Sequence, residues 1–248
     1  MTGESSPTLG DEIVRFRKAH DRVLEAIGDA CLRVGRNAGD VTLIAVTKGV
    51  AVDRVRAAVA AGQRDLGENR VREAAGKAAA VGADVSWHLI GPLQSNKARA
   101  AVASFAAIDS VDSLALARRL DRLALELRPD ALLPILLQVN VDADEAKHGW
   151  RPADLERDLP ALSDLGHVRL DGVMTIGRVV AHADEARPTF VALRRLSERL
   201  RRAEPALGPV LSMGMSDDYR VAVEEGATQI RVGRALFGPR TGDARGHC

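Results

Sequence analysis

Lys48 follows directly on the apolar run Thr42-Leu-Ile-Ala-Val-Thr47 and precedes Gly49, with no acidic residue beside it in sequence. A short run of branched aliphatic residues bounded by glycine reads as a buried parallel strand. The residue at its carboxyl end points out where α/β proteins bind their ligands. A primary amine placed there is a candidate imine-forming group. The competing reading is a solvated, idle lysine at the start of a loop, since most lysines are exposed.

Other polar residues also sit where apolar runs end. Gly67-Glu68-Asn69-Arg70, Gly91-Pro92-Leu93-Gln94-Ser95-Asn96-Lys97, Asn140 and Lys147-His148-Gly149 would share one rim. Leu211-Ser-Met-Gly-Met-Ser216-Asp217-Asp218 reads as a hydroxyl-bearing turn entering a helix, and Ile230-Arg231-Val-Gly233-Arg234-Ala-Leu-Phe-Gly238 as a glycine turn flanked by two guanidinium groups. Backbone N–H groups, hydroxyls and arginines in two such loops make an anion cradle.

The elements that must position these groups follow from hydrophobic periodicity. A polar tail runs through Gly10, and a helical pattern follows from Asp11 to Arg36, with Ile13, Phe16, Val23, Leu24, Ile27, Cys31 and Leu32 near helical spacing. Strands are predicted near 42–47, 64–67, 85–90, 105–109, 133–140, 168–174, 209–213 and 228–232. Helices are predicted over 53–62, 69–80, 95–103, 112–127, 152–163, 184–203 and 217–225, several opening on a capping Asp or Ser. Alternating units with eight strands indicate an α/β fold, a (β/α)8 TIM barrel with an extra N-terminal helix. A chain of 248 residues fits one such domain, expected over 11–240, with tails at 1–10 and 241–248.

In barrels the phosphate site is frequently built by the loops after strands seven and eight, and strand one lies beside strand eight. Lys48 would then stand next to the cradle. An amine beside a phosphate site suits a ligand carrying both an aldehyde and a phosphate, and pyridoxal 5′-phosphate (PLP) leads that class.

Composition removes other classes. Lys plus Arg at 35 against Asp plus Glu at 34, with 3% aromatic residues, gives neither the basic footprint nor the stacking surface of a nucleic-acid binder. Two cysteines, Cys31 and Cys248, form no disulfide framework or metal cluster and fit a reducing, cytoplasmic compartment. No apolar stretch reaches the roughly 18 residues a membrane span needs, and Met1-Thr-Gly-Glu-Ser-Ser-Pro7 lacks the basic and apolar regions of a secretory signal.

Ala45-Val-Thr-Lys48, Gly67-Glu-Asn69, His88-Leu-Ile-Gly-Pro-Leu-Gln-Ser-Asn-Lys97, Ser212-Met-Gly-Met-Ser-Asp-Asp218 and Arg231-Val-Gly-Arg-Ala-Leu-Phe-Gly238, in that order, resemble the PLP homeostasis protein family, itself similar to the N-terminal barrel of alanine racemase. The resemblance spans nearly the whole chain from the first strand to Arg240. It implies a single-domain barrel of the alanine-racemase N-terminal type (PLP fold type III), holding PLP as a Schiff base on Lys48, without established turnover and with a role in vitamin B6 supply or buffering. Residue by residue it implies that Ser216 and the Arg231-Val-Gly233-Arg234 turn hold the phosphate, that Asn69 lies near the ring and that Met213 packs against it. Implied partners are other B6 vitamers and PLP-dependent apoenzymes in transient contact, with a monomer or weak dimer as the assembly. Two departures stand out: Arg234 occupies a position usually held by a small hydroxyl residue, and Pro92 one where histidine is common.

The alternative class is a PLP-dependent racemase or decarboxylase, with a Schiff-base aldolase ranked last. Two-base racemisation in the alanine racemase pattern needs a tyrosine opposite the lysine, and the sole tyrosine, Tyr219, is predicted just inside a helix. His88 is expected as a hydrogen-bonded core histidine and Glu68 as a structural carboxylate. Lys97 and Lys147 are expected to be solvated or ion-paired, with a transient second acceptor role as the sharper reading.

Overall fold

The computed structural model describes residues 7–82, 84–178 and 180–239. Helix α1 (Leu9–Arg33) leads into β1 (Thr42–Val46), α2 (Val52–Ala60), β2 (Asp65–Glu68), α3 (Val71–Val81), β3 (Ser86–Leu89), α4 (Ala98–Ser104) and β4 (Ala107–Val111). The second half runs α5 (Leu114–Leu127), β5 (Leu133–Gln138), α6 (Pro152–Ser163), β6 (Val168–Met174), α7 (Arg187–Ala203), β7 (Val210–Ser212), α8 (Tyr219–Glu224), β8 (Gln229–Val232) and α9 (Arg234–Phe237). All strand pairs are parallel, and β8 closes on β1 with Ala45 opposite Val232, so the sheet is a closed eight-stranded barrel.

Each predicted strand is present within a few residues; β4 lies about two residues later than expected, with an irregular register to β5 between Ile108 and Val111. The expected N-terminal tail is described only from Pro7, and α1 starts at Leu9 because Thr8 caps it. The Thr8 hydroxyl accepts from Asp11 N, and the Asp11 carboxylate accepts from Thr8 N, a reciprocal pair that satisfies two first-turn donors. The tail at 241–248, with Cys248, lies outside the described residues.

Period-two alternation divides each strand between two environments. On β1, Leu43 and Ala45 face the helices; on β8, Ile230 and Val232 do. With Phe105 and Phe190, both 0% exposed, they form the apolar layer between barrel and helices, where burying each large side chain contributes on the order of 2–3 kcal/mol. The opposite parity lines the barrel interior, which is polar at its centre. Gln229 Nε2 donates to Asp109 Oδ2 at 2.7 Å and to Ser212 Oγ at 3.0 Å, and His88 lies 3.4 Å from both Asp109 and Asp65.

Helix α1 buries Phe16, Val23, Ala26, Ile27, Ala30 and Cys31 against α2, α8 and α9, while Leu24 and Leu32 point outward. Phe16 meets the ring of Phe237 with centroids 5.4 Å apart, and Arg36 donates to the carbonyls of Val223 at 2.6 Å and Ala227 at 2.9 Å. The added helix therefore staples the last βα unit, which carries the glycine turn.

Candidate functional site

Lys48 has the parity of Ile44 and Val46, which face the barrel interior, and it stands just beyond the end of β1 at the barrel mouth. It is half-buried and lines a cleft of about 270 Å³ together with Val46, Asn69, Ile90, Met215, Ser216, Arg231, Gly233 and Arg234. Six of the seven residues expected at the site, Lys48 among them, thus line one opening. Met213 is the one left out.

The two loops meet through Ser216. Its hydroxyl oxygen accepts from Gly233 N at 3.2 Å and from Ala235 N at 3.3 Å, so it bridges the turn after β7 to the start of α9. That short helix shows in the sequence only as a glycine turn, because glycines 233 and 238 bracket four helical residues, too few for a periodic signal. Gly233 presses on β1, where a side chain would meet the Val46 carbonyl oxygen at 3.2 Å. Arg234 is exposed and paired with Asp217.

Arg231 is placed differently from the expectation that it joins the phosphate turn. Having the parity of Gln229, it points into the barrel, 4% exposed, and Nη1 donates to Ser212 Oγ at 2.6 Å and Nη2 to the Thr175 carbonyl at 2.7 Å. It forms the floor of the cleft. Burial pushes its pKa down to about 10, with the charges of Asp109 and Asp218 working the other way, so the guanidinium remains charged at neutral pH. Met213 also departs from expectation. Ser212 faces inward, so alternation turns Met213 outward into the helix-barrel layer, 0% exposed, and Met215 takes the place on the cleft wall.

Glu68 bonds to the neighbouring strand end, at Thr47 just past β1, and to Lys77 on α3. Its Oε1 accepts from Thr47 Oγ1 and from Lys77 Nζ, each at 2.6 Å, and burial raises its pKa against those bonds. His88 is a buried, bonded histidine: burial alone would lower its pKa, yet the carboxylates of Asp109 and Asp65 outweigh it and push it up to about 10. Lys147 lies 3.6 Å from Asp142 and Asp144, beyond hydrogen-bond distance but close enough for ion pairing. Lys97 is exposed and lines a neighbouring cleft of about 610 Å³ with Arg70, Arg72, Pro92 and His148, joined to the first through Asn69. Lys77 was missed altogether, because a lysine on an Ala-rich helix looks like any solvated cation in sequence.

A closed eight-stranded parallel barrel with a lysine just past β1, facing the turns after β7 and β8, defines a class, and residues 24–241 match the family described as alanine racemase, N-terminal domain. Alanine racemase of Clostridium difficile shares the fold, with a TM-score of 0.69 at 14% identity over 89% of this chain and 56% of that one. The pyridoxal phosphate homeostasis protein of Synechocystis is 43% identical over 204 residues, covering 81% of this chain and 92% of the relative. That of Escherichia coli K12 is 36% identical over 228 residues, covering 88% and 94%. PipY of Synechococcus elongatus, solved with PLP bound, superposes with a TM-score of 0.77 at 46% identity over 87% of this chain and 100% of that one. This chain belongs to the pyridoxal phosphate homeostasis protein family. No helix among the described residues is long and apolar enough to cross a membrane.

Proposed function

We propose that this protein binds PLP in the cleft at the barrel mouth, holds it reversibly as a Schiff base on Lys48, and serves intracellular PLP homeostasis by supply and buffering. The observation that carries this reading is the placement of Lys48 and the Ser216–Gly233 turn around one cleft, with the turn packed against the strand that ends at the lysine. Its support from relatives is the PLP-bound PipY structure and the names of the curated homologues.

The residues fit the group. Gly233 N–H, Ala235 N–H and the Ser216 hydroxyl are donors able to turn to phosphate oxygens, and Arg234 adds a cation at the rim. Asn69 Oδ1 is buried without a hydrogen-bond partner and belongs to a residue on the cleft wall, a polar atom left for a ligand to satisfy. When bound, PLP supplies an electrophilic aldehyde carbon. Lys48 would contribute the amine that condenses with that carbon with loss of one water, and hydrolysis would return both on release, so the exchange would need no other reactant.

Carriage is favoured over turnover because Tyr219 is buried at the start of α8 in the helix-barrel layer, and it is the only tyrosine in the chain. Among the described residues the cleft therefore has no tyrosine to act as the second acid–base group of the alanine racemase pattern. We also propose binding of other B6 vitamers, transient contact with PLP-dependent apoenzymes, a cytoplasmic location, a monomer or weak dimer, and a functional domain over 11–240.

Absorbance with PLP, borohydride reduction and peptide mass mapping test the site. A reduced adduct on Lys48, lost in Lys48→Ala, is expected. The same yellow absorbance and reduced adduct in Lys48→Ala would overturn the assignment. Racemisation or decarboxylation of common amino acids well above the rate of free PLP would overturn carriage.

A further inference from the structure

We propose that Glu73 and Lys77 on α3, acting with Glu68 at the end of β2, are positioning residues that fix the backbone on both sides of Lys48 and so aim its amine into the cleft. The inference rests on the reading of Lys48 as the PLP-bearing residue.

Lys48 lies beyond the last residue of β1, so strand pairing alone does not hold it. The hold comes from outside the barrel. Lys77 Nζ donates to the Thr47 carbonyl at 2.6 Å, to Glu68 Oε1 at 2.6 Å and to Glu73 Oε1 at 2.7 Å. Glu68 Oε1 also accepts from the Thr47 hydroxyl at 2.6 Å, and Glu73 Oε1 accepts from Gly49 N at 2.7 Å. One cluster of three charged side chains thus grips the carbonyl and hydroxyl of the residue before Lys48 and the N–H of the residue after it. Gly49 adopts a φ of +70°, a conformation that lets the chain reverse at once behind the lysine.

The composition of the cluster argues that it does more than hold the fold. The Lys77 side chain is 6% exposed and that of Glu68 0% exposed. Burying such charges costs desolvation that well-packed apolar residues would avoid, so a buried ion cluster is poor evidence of a stability role and better evidence of a specified geometry. Glu68 Oε2, moreover, is buried without a partner, an unsatisfied group of the kind retained where geometry matters. Glu73 and Lys77 are spaced i, i+4 on α3, which puts both on one helical face toward the β1 end.

The test is a double-mutant cycle. The rate of reducible adduct formation with PLP is measured for wild type, Glu73→Ala and Glu73→Gln, and noncovalent PLP affinity for Lys48→Ala and Lys48→Ala/Glu73→Ala, with melting of each PLP-free protein as a folding control. Glu73→Ala is expected to slow adduct formation at least tenfold while leaving noncovalent affinity in the Lys48→Ala background within twofold. Glu73→Gln, which keeps an acceptor for Gly49 N, is expected to restore most of the rate. An unchanged rate in Glu73→Ala overturns the proposal, as does an equal loss in both backgrounds, the mark of general damage. Absence of a Lys48 adduct in wild type would instead remove the reading beneath it, and would be seen before any Glu73 variant is made.

Discussion

A Cβ on residue 233 would lie 3.2 Å from the Val46 carbonyl oxygen and 3.3 Å from Val46 Cβ, so Gly233 is the point where the turn after β8 rests on the strand leading to Lys48. A branched side chain there must push the turn away from β1. Gly233→Val is expected to cost about 1–3 kcal/mol through overpacking and to weaken PLP binding at least tenfold. Pyridoxal, which lacks the phosphate, should lose much less. Titration with both vitamers checks this, and an equal loss for the two would mean that the turn does not contact phosphate.

The polar centre of the barrel gives a pH dependence. The folded pKa of His88, pushed up to about 10, lies above its ordinary value of 6.5, so the stabilisation from Asp109 and Asp65 is fully present below about pH 6.5 and is lost as pH rises through 10. Urea midpoints measured at pH 7 and pH 10 should fall more in wild type than in His88→Gln, which keeps a donor toward Asp109 but cannot lose a charge. Parallel falls in the two proteins would show that His88 is not the group titrating.

Much of this was legible in the sequence because barrel strands buried on both faces read as short apolar runs, and the glycines and polar residues at their ends mark one rim. Lys48, Asn69, Ser216, Gly233 and Arg234 were placed by that logic together with the family resemblance. Met213 faces away from the cleft because alternation after the inward-facing Ser212 turns it into the helix-barrel layer. Arg231 does line the cleft, and strand parity puts it on the floor and not in the turn. Lys77 was invisible because its role depends on tertiary contact between α3 and the end of β1, which no local pattern encodes.

Arg36 is expected to matter for stability alone. Its guanidinium ties the chain after α1 to the carbonyls of Val223 and Ala227, at the end of α8 and just beyond it. Arg36→Ala leaves both carbonyls without that charged donor, a loss of about 1–3 kcal/mol. For a chain of this size each kcal/mol lowers the melting temperature by about 2–4 °C. Calorimetry should show the drop, and PLP affinity at 25 °C should stay within twofold, since Arg36 lies on the outer face of the barrel. A large affinity loss at an unchanged melting temperature would instead connect α1 to the cleft.

Arg234 separates phosphate recognition from stability. Its pair with Asp217 is solvent-exposed at both ends, with side chains 57% and 73% exposed, so Arg234→Ser should change the urea midpoint by less than about 0.5 kcal/mol equivalent. Binding should respond more. The side chain lines the cleft beside the Ser216–Gly233 donors, and a cation there attracts a phosphate dianion through a field that salt screens over about 10 Å at 0.1 M. Wild type should therefore lose PLP affinity between 0.05 and 0.5 M salt more steeply than Arg234→Ser, while pyridoxal binding stays nearly flat with salt in both (salt range on the order of that over which the Debye length contracts severalfold). If the serine variant bound PLP as tightly as wild type at low salt, its hydroxyl would be replacing the charged contact in full, and the arginine's charge would not be needed for phosphate recognition.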